Sequence, residues 1–71
     1  MKKIFIYDVA DMSYQDVAHF IDMAIHNGLE QQPIGKEIYY ECESKATEYR
    51  IQFVNLRSLI KVHVIKYNKK I

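Results

Sequence analysis

The chain predicts an α+β domain: a four-stranded mixed sheet with one helix packed on one of its faces. Three observations lead there. Residues 37 to 67 divide into three strand-like segments whose apolar faces coincide when two four-residue turns set the pairing. An amphipathic helix with marked ends occupies about residues 14 to 27. A short segment rich in β-branched and aromatic residues precedes that helix.

The first strand is Lys3 to Val9. Both of its alternating sets are apolar, with Ile4 and Ile6 on one side and Phe5, Tyr7 and Val9 on the other. The helix begins after Ser13, a good N-cap residue, and Asp16 three positions on is a short version of the capping-box acid. Met12 and Val17 have the spacing of a hydrophobic staple. Val17, Phe20, Ile21, Ala24 and Ile25 form one apolar stripe, and Gly28 stands where a C-terminal cap belongs, with Leu29 able to fold back onto the stripe. Pro33 and Gly35 mark the loop that follows.

The three later strands settle their pairing through their turns. A turn at Ser44 to Thr47 sets Cys42 against Tyr49, Tyr40 against Ile51 and Ile38 against Phe53. A turn at Asn55 to Ser58 sets Phe53 against Ile60, Ile51 against Val62 and Tyr49 against Val64. The inward face is then three apolar rows for the helix to cover, and a one-residue slip would turn a whole strand over. The outward rows are mixed: Glu37-Val54-Leu59, Tyr39-Gln52-Lys61, Glu41-Arg50-His63 and Glu43-Glu48-Ile65. Glu43 against Glu48 is the one poor pair. The end, from Asn68 to Ile71, reads as frayed.

The fourth strand is apolar on both faces at Leu59, Ile60, Val62, Val64 and Ile65, which suits an interior position. Placing the first strand beside it gives the spatial order 2-3-4-1. The order 1-2-3-4, with a tighter crossover, is the rival.

Size and composition narrow the function classes. A chain of 71 residues buries about 60% of its unfolded surface and builds one layer of core. Its single cysteine excludes an internal disulfide, and no paired Cys/His pattern suggests zinc. A second copy of the chain, as a homodimer, is the expected source of extra burial. The net charge of +1 points to neither nucleic acid nor membrane. The start resembles a signal peptide, but Asp8 and Asp11 interrupt the apolar run and no small-residue cleavage site follows. No apolar stretch reaches spanning length. A cytoplasmic protein with a reduced, inward-facing Cys42 is expected. The richness in Lys, Ile, Tyr and Asn is that of an AT-rich coding sequence, as in small bacterial or phage genes.

Candidate chemistry is sparse. His19, Asp22 and His26 share the polar side of the helix, but His19 and His26 stand roughly 10.5 Å apart along the axis. The bland reading, a solvated helix face with a cation near its C-terminus, is preferred to a metal site. Glu41, Arg50 and His63 in one row resemble an acid-base set, but an open sheet face excludes no water, and a cross-strand ion-pair row accounts for them. No catalytic residues, cofactor or metal ligands are assigned. Lys2, Lys3, Lys36 and Arg57, with His26, gather at one end of the sheet as a candidate anion patch. Helix carbonyls pointing the same way explain that gathering as well.

The outward apolar groups are the larger surplus, because one helix cannot cover both faces. With the first strand beside the fourth, Phe5, Tyr7, Tyr39, Leu59, Ile65 and Tyr67 become anchors for a partner, and Val54 projects from the same uncovered face. Arg50, Lys61 and His63 would set its orientation. The expected function is a small non-enzymatic interaction module, encoded by a phage or mobile element, that binds a protein or itself. The alternative is a nucleic-acid-binding module that stacks bases on Tyr39 and Tyr67 and grips phosphates through Arg50 and Lys61 or the basic end.

Overall fold

The computed structural model describes residues 2–69. Its elements are β1 (Lys3–Asp8), α1 (Tyr14–His26), a single 3₁₀ turn (Leu29–Gln31), β2 (Glu37–Glu43), β3 (Thr47–Asn55) and β4 (Leu59–Asn68). They form an α+β domain with a four-stranded mixed sheet in the order β1-β4-β3-β2. β1 runs parallel to β4, and the other pairs are antiparallel. The first strand therefore lies beside the fourth, and the rival order is excluded.

The helix begins as its signals require. Ser13 is in an extended conformation and its hydroxyl accepts the Asp16 N–H at 3.2 Å. Met12 and Val17 are both buried in the core cluster. At the other end Asn27 is the C-cap, and Gly28 adopts the left-handed conformation at φ 91°. A side chain there would be strained, which is why glycine closes this helix. Leu29 turns back and is buried.

One core lies between the helix and the inward face of the sheet. Val17, Ile21 and Ala24 meet Ile51, Phe53, Ile60, Val62 and Val64, all buried, with Ile4, Ile6, Ile38 and Tyr40 packed at the edges. Tyr40 meets Phe53 edge to face at 5.5 Å between ring centres.

The first hairpin has the expected register, with Cys42 opposite Tyr49, Tyr40 opposite Ile51 and Ile38 opposite Phe53. The second does not. Phe53 pairs with Val62, Ile51 with Val64 and Tyr49 with Lys66, two residues away from the expected pairing. Asn55 is still in the strand, opposite Ile60, and the Leu56 N–H bonds to the Leu59 carbonyl at 2.8 Å. Arg57 and Ser58 alone make the tip. A slip of two keeps every side chain on its face, because strand side chains alternate with period two.

Asn55 is what holds this register. It is the one buried polar residue among those described. Its amide donates to the Glu30 carbonyl at 3.2 Å and the Gln32 carbonyl at 2.9 Å. Its side-chain oxygen accepts from the Lys2 ammonium, which also reaches the Leu56 carbonyl at 2.7 Å. The Gly35 N–H bonds to the Asn55 carbonyl at 2.9 Å. One side chain thus ties the start of the chain, the 3₁₀ turn and the end of β3 together. A polar residue read as turn chemistry is here a fully partnered core group. Lys2 is consequently engaged with the protein and does not stand free in the basic end.

The opposite end is closed by Asp11. Its carboxylate accepts the Tyr49 hydroxyl and the Lys66 ammonium, each at 2.6 Å, joining the β1–α1 connection to β3 and β4. The Lys66 bond, then the Tyr49 bond, hold the Asp11 carboxyl below its ordinary 3.8. The Asp11 bond in turn raises Lys66 above 10.5 and Tyr49 above 10.0.

The expected frayed end is corrected in part. Asn68 belongs to β4, the Lys69 N–H bonds to the Ala46 carbonyl at 3.0 Å, and its ammonium pairs with Glu43 at 2.8 Å. That pairing holds the Glu43 carboxyl below 4.5. It also relieves the contact with Glu48, which faces Arg50 at 3.8 Å. Residues 70 and 71, also expected to fray, lie outside the described residues.

Three outcomes follow for stability. Ile51→Ala should cost about 2–5 kcal/mol, read as a lowered melting temperature, because the removed atoms lie in a closed core. Asn55→Ala should cost about 1–3 kcal/mol in the same measurement, since two carbonyls lose their side-chain donor and the Lys2 ammonium is left with the Leu56 carbonyl alone. The Asp11 cluster makes stability depend on pH. Its carboxyl is depressed in the folded state, so its contribution is present above the ordinary carboxylate range and is lost as pH falls through the lower folded value. Lys66 and Tyr49 are raised, so their part is present below pH 10 and is lost as pH rises through their folded values. Asp11→Asn should flatten both limbs in a series of melts against pH.

Candidate docking face

The site is built by β-strand alternation. With the inward positions fixed in the core, the others point away from the helix, and among the described residues no second layer covers them. On the edge strands Lys3, Phe5, Tyr7, Glu37, Tyr39, Glu41 and Glu43 are exposed. On the central strands Glu48, Arg50, Gln52, Val54, Leu59, Lys61, His63 and Ile65 are half-buried, and Tyr67 is exposed.

The corrected register redraws the rows of this face. They are Phe5-Lys61-Val54-Glu37, Tyr39-Gln52-His63, Glu41-Arg50-Ile65 and Glu43-Glu48-Tyr67. The expected row of Glu41, Arg50 and His63 is therefore absent. Arg50 faces Ile65, and His63 faces Gln52 on one side and Asp8 on the other. The acid-base reading of these three residues loses its geometry.

Aromatic rings and cations are interleaved. Phe5 is 50% exposed, Tyr7 60%, Tyr39 44% and Tyr67 44%. They are four of the seven exposed large hydrophobic side chains among the described residues. The Arg50 guanidinium lies 5.3 Å from the Tyr67 ring centre and 6.0 Å from that of Tyr39. The Lys61 ammonium lies 4.9 Å from the Tyr7 ring centre, and His63 meets the same ring edge-on at 4.9 Å. Each such cation contact contributes about 0.5–1 kcal/mol at an exposed site and holds the ring in place. A register shift between Ile6 and Asp8 sets Tyr7 against His63.

The polar groups are mostly matched within the face. The Gln52 amide donates to Glu37 at 2.8 Å and to the Tyr39 hydroxyl at 3.0 Å. The Arg50 Nε stands 3.6 Å from Glu41, an ion pair without a hydrogen bond, and that nitrogen is shielded from solvent with no hydrogen-bond partner. At this exposure the pair contributes about 0–1 kcal/mol.

Leu59 and Ile65, expected as exposed anchors, sit with Val54 among the stems of their neighbours and are less open than the rings. Lys3, Lys36 and Arg57 of the basic end are exposed, but with Lys2 bound to Asn55 the patch is reduced to three cations.

Sequence patterning missed a second concavity. One helix about 10 Å wide cannot span four strands about 4.8 Å apart, so the inward side of β2 is only half covered. The gap is a cleft of about 500 Å³ with Met12, Phe20, Cys42 and Tyr49 on its walls and Asp11, Ser13, Asp16 and His19 at its rim. Cys42 is half-buried there. Comparing the width of one helix with that of four strands would have found it. The helix polar side carries His19, Asp22 and His26 along a shallow surface, and among the described residues no group of three or more His, Cys, Asp or Glu is placed to hold a metal ion. No helix is long and apolar enough to cross a membrane, among the described residues.

Comparison of the chain with protein-family models, with curated proteins and with solved structures finds no match.

Proposed function

We propose that this chain is a small non-enzymatic interaction module of the cytoplasm that docks a protein through the outward face of its sheet. The observation that carries the reading is the concentration of exposed rings there: Phe5, Tyr7, Tyr39 and Tyr67 on one uncovered surface. Aromatic side chains bury much area at little entropic cost and dominate the energetics of protein contacts. Three of these rings, Tyr7, Tyr39 and Tyr67, are also held by Arg50, Lys61 and His63, so little ordering remains there for a partner to impose. Ile65, between the rows of His63 and Tyr67, and Leu59, one row beyond Phe5, add half-buried apolar surface.

A nucleic-acid reading draws on the same rings and cations. Glu37, Glu41, Glu43 and Glu48 on that face count against it, because a phosphate backbone would meet four carboxylates.

Tyr7→Ser and Tyr67→Ser, measured separately, should each weaken partner binding about tenfold, or about 1.4 kcal/mol, while circular dichroism and melting stay near wild type. Unchanged binding in both variants would remove the outward face as the site. Binding to single-stranded DNA or RNA that falls steeply with salt would favour the nucleic-acid reading instead.

A further inference from the structure

We infer that the occupant of the outward face is a second copy of this chain, seated face to face about a two-fold axis that runs parallel to the strands. This rests on the reading above and names the partner for it.

Among the described residues, two charges in one row of the face are left without an ionic partner. Arg50 is matched by Glu41 and Glu48, and Glu43 by Lys69. Among the described residues, Lys61 has no carboxylate within 4.0 Å and Glu37 has no cation within that distance. These two unmatched charges stand in one row, Phe5-Lys61-Val54-Glu37, with Lys61 on β4 and Glu37 on the edge strand β2. The face is therefore polar across its width: on the β1/β4 side Asp8, beside His63, offsets one charge but Lys61 and Lys3 leave it net cationic, and the β2 side is anionic.

A two-fold axis parallel to the strands, midway across the sheet, lays this row on itself in reverse. Lys61 of one copy then stands over Val54 of the other, one strand spacing of about 4.8 Å from the second copy's Glu37. A lysine side chain spans that gap, and symmetry makes the contact twice. The same operation sets Tyr7 over the second copy's Tyr39, two of the exposed rings. An axis perpendicular to the strands does the opposite: it stacks β4 on β4 and β2 on β2, like charge on like. Charge complementarity thus selects one axis.

The area is sufficient for a weak dimer. Four strands by about six residues give roughly 400 Å² in projection, and more along the corrugated side chains. Two copies then meet near the lower limit of about 1,000 Å² for a specific interface. One uncovered face per copy makes the assembly close at two.

The test is sedimentation over a concentration series with wild type, Lys61→Glu and Glu37→Lys. Wild type should move from monomer to dimer as concentration rises. Each single variant places like charges opposite one another twice and should raise the dissociation constant about tenfold or more. Mixing the two variants restores both opposite-charge contacts in a heterodimer, and the mixture should return to dimer mass at wild-type concentrations. Three results overturn the inference. Dimers insensitive to both substitutions use another surface. Lys61→Glu that pairs with wild type better than either pairs with itself selects the perpendicular axis. Wild type that stays monomeric at all concentrations excludes the second copy; if Tyr7→Ser and Tyr67→Ser still weaken binding to a different protein, the docking face itself survives. Melting curves of each variant separate lost association from lost folding.

Discussion

A single helix can cover only one face of a four-stranded sheet, and not the whole width of that face. The rest of this molecule is arranged around that limit. The core is one layer, formed where the stripe of α1 meets the inward residues of β3 and β4. β2 is half covered at one side, leaving the cleft beside Cys42. Among the described residues the outward face receives no second layer, so its side chains must cover one another. They do so by stacking cations on rings, which accounts for the half-burial of the central strands without any second element.

Two polar knots close the ends of that single layer, and they differ in kind. Asn55 works from inside, with its amide and carbonyl groups all directed at backbone or at Lys2. Removing it leaves unmet groups in a part-buried setting, which is costly. Asp11 works from the rim, where its partners can return to water. Its effect is therefore felt mainly through pH. The core between them supplies the stability; the knots choose which strand residues meet.

The docking face inherits its order from the core. Register at Asn55 decides that Arg50 lies beside Ile65 and that Lys61 shares a row with Glu37. With the expected pairing, His63 would have joined Glu41 and Arg50, and Lys61 would have faced Gln52. The register in which the buried Asn55 amide is fully partnered thus also moves the charges on the far side of the sheet. This is how a structural residue sets the pattern that a partner meets.

Which side chains look toward the helix was legible from local periodicity alone. Ile51 and Val62 share a face because alternation along a strand is a property of the backbone, and Ser13 and Gly28 mark the helix ends because caps act within a few residues. The doubly apolar β4 favoured the observed strand order but left 1-2-3-4 open until the structure decided between them, while the ring-bearing face followed from the same alternation. The pairing of the second hairpin was not legible, since a slip of two residues leaves every side chain on its own face and the pattern is blind to it. Nor were the partners of Asn55 and Asp11, which lie as far as 53 and 55 positions away in the chain. Those contacts exist only once the layers have met, and it is they, through long-range hydrogen bonding, that decide which charges stand side by side.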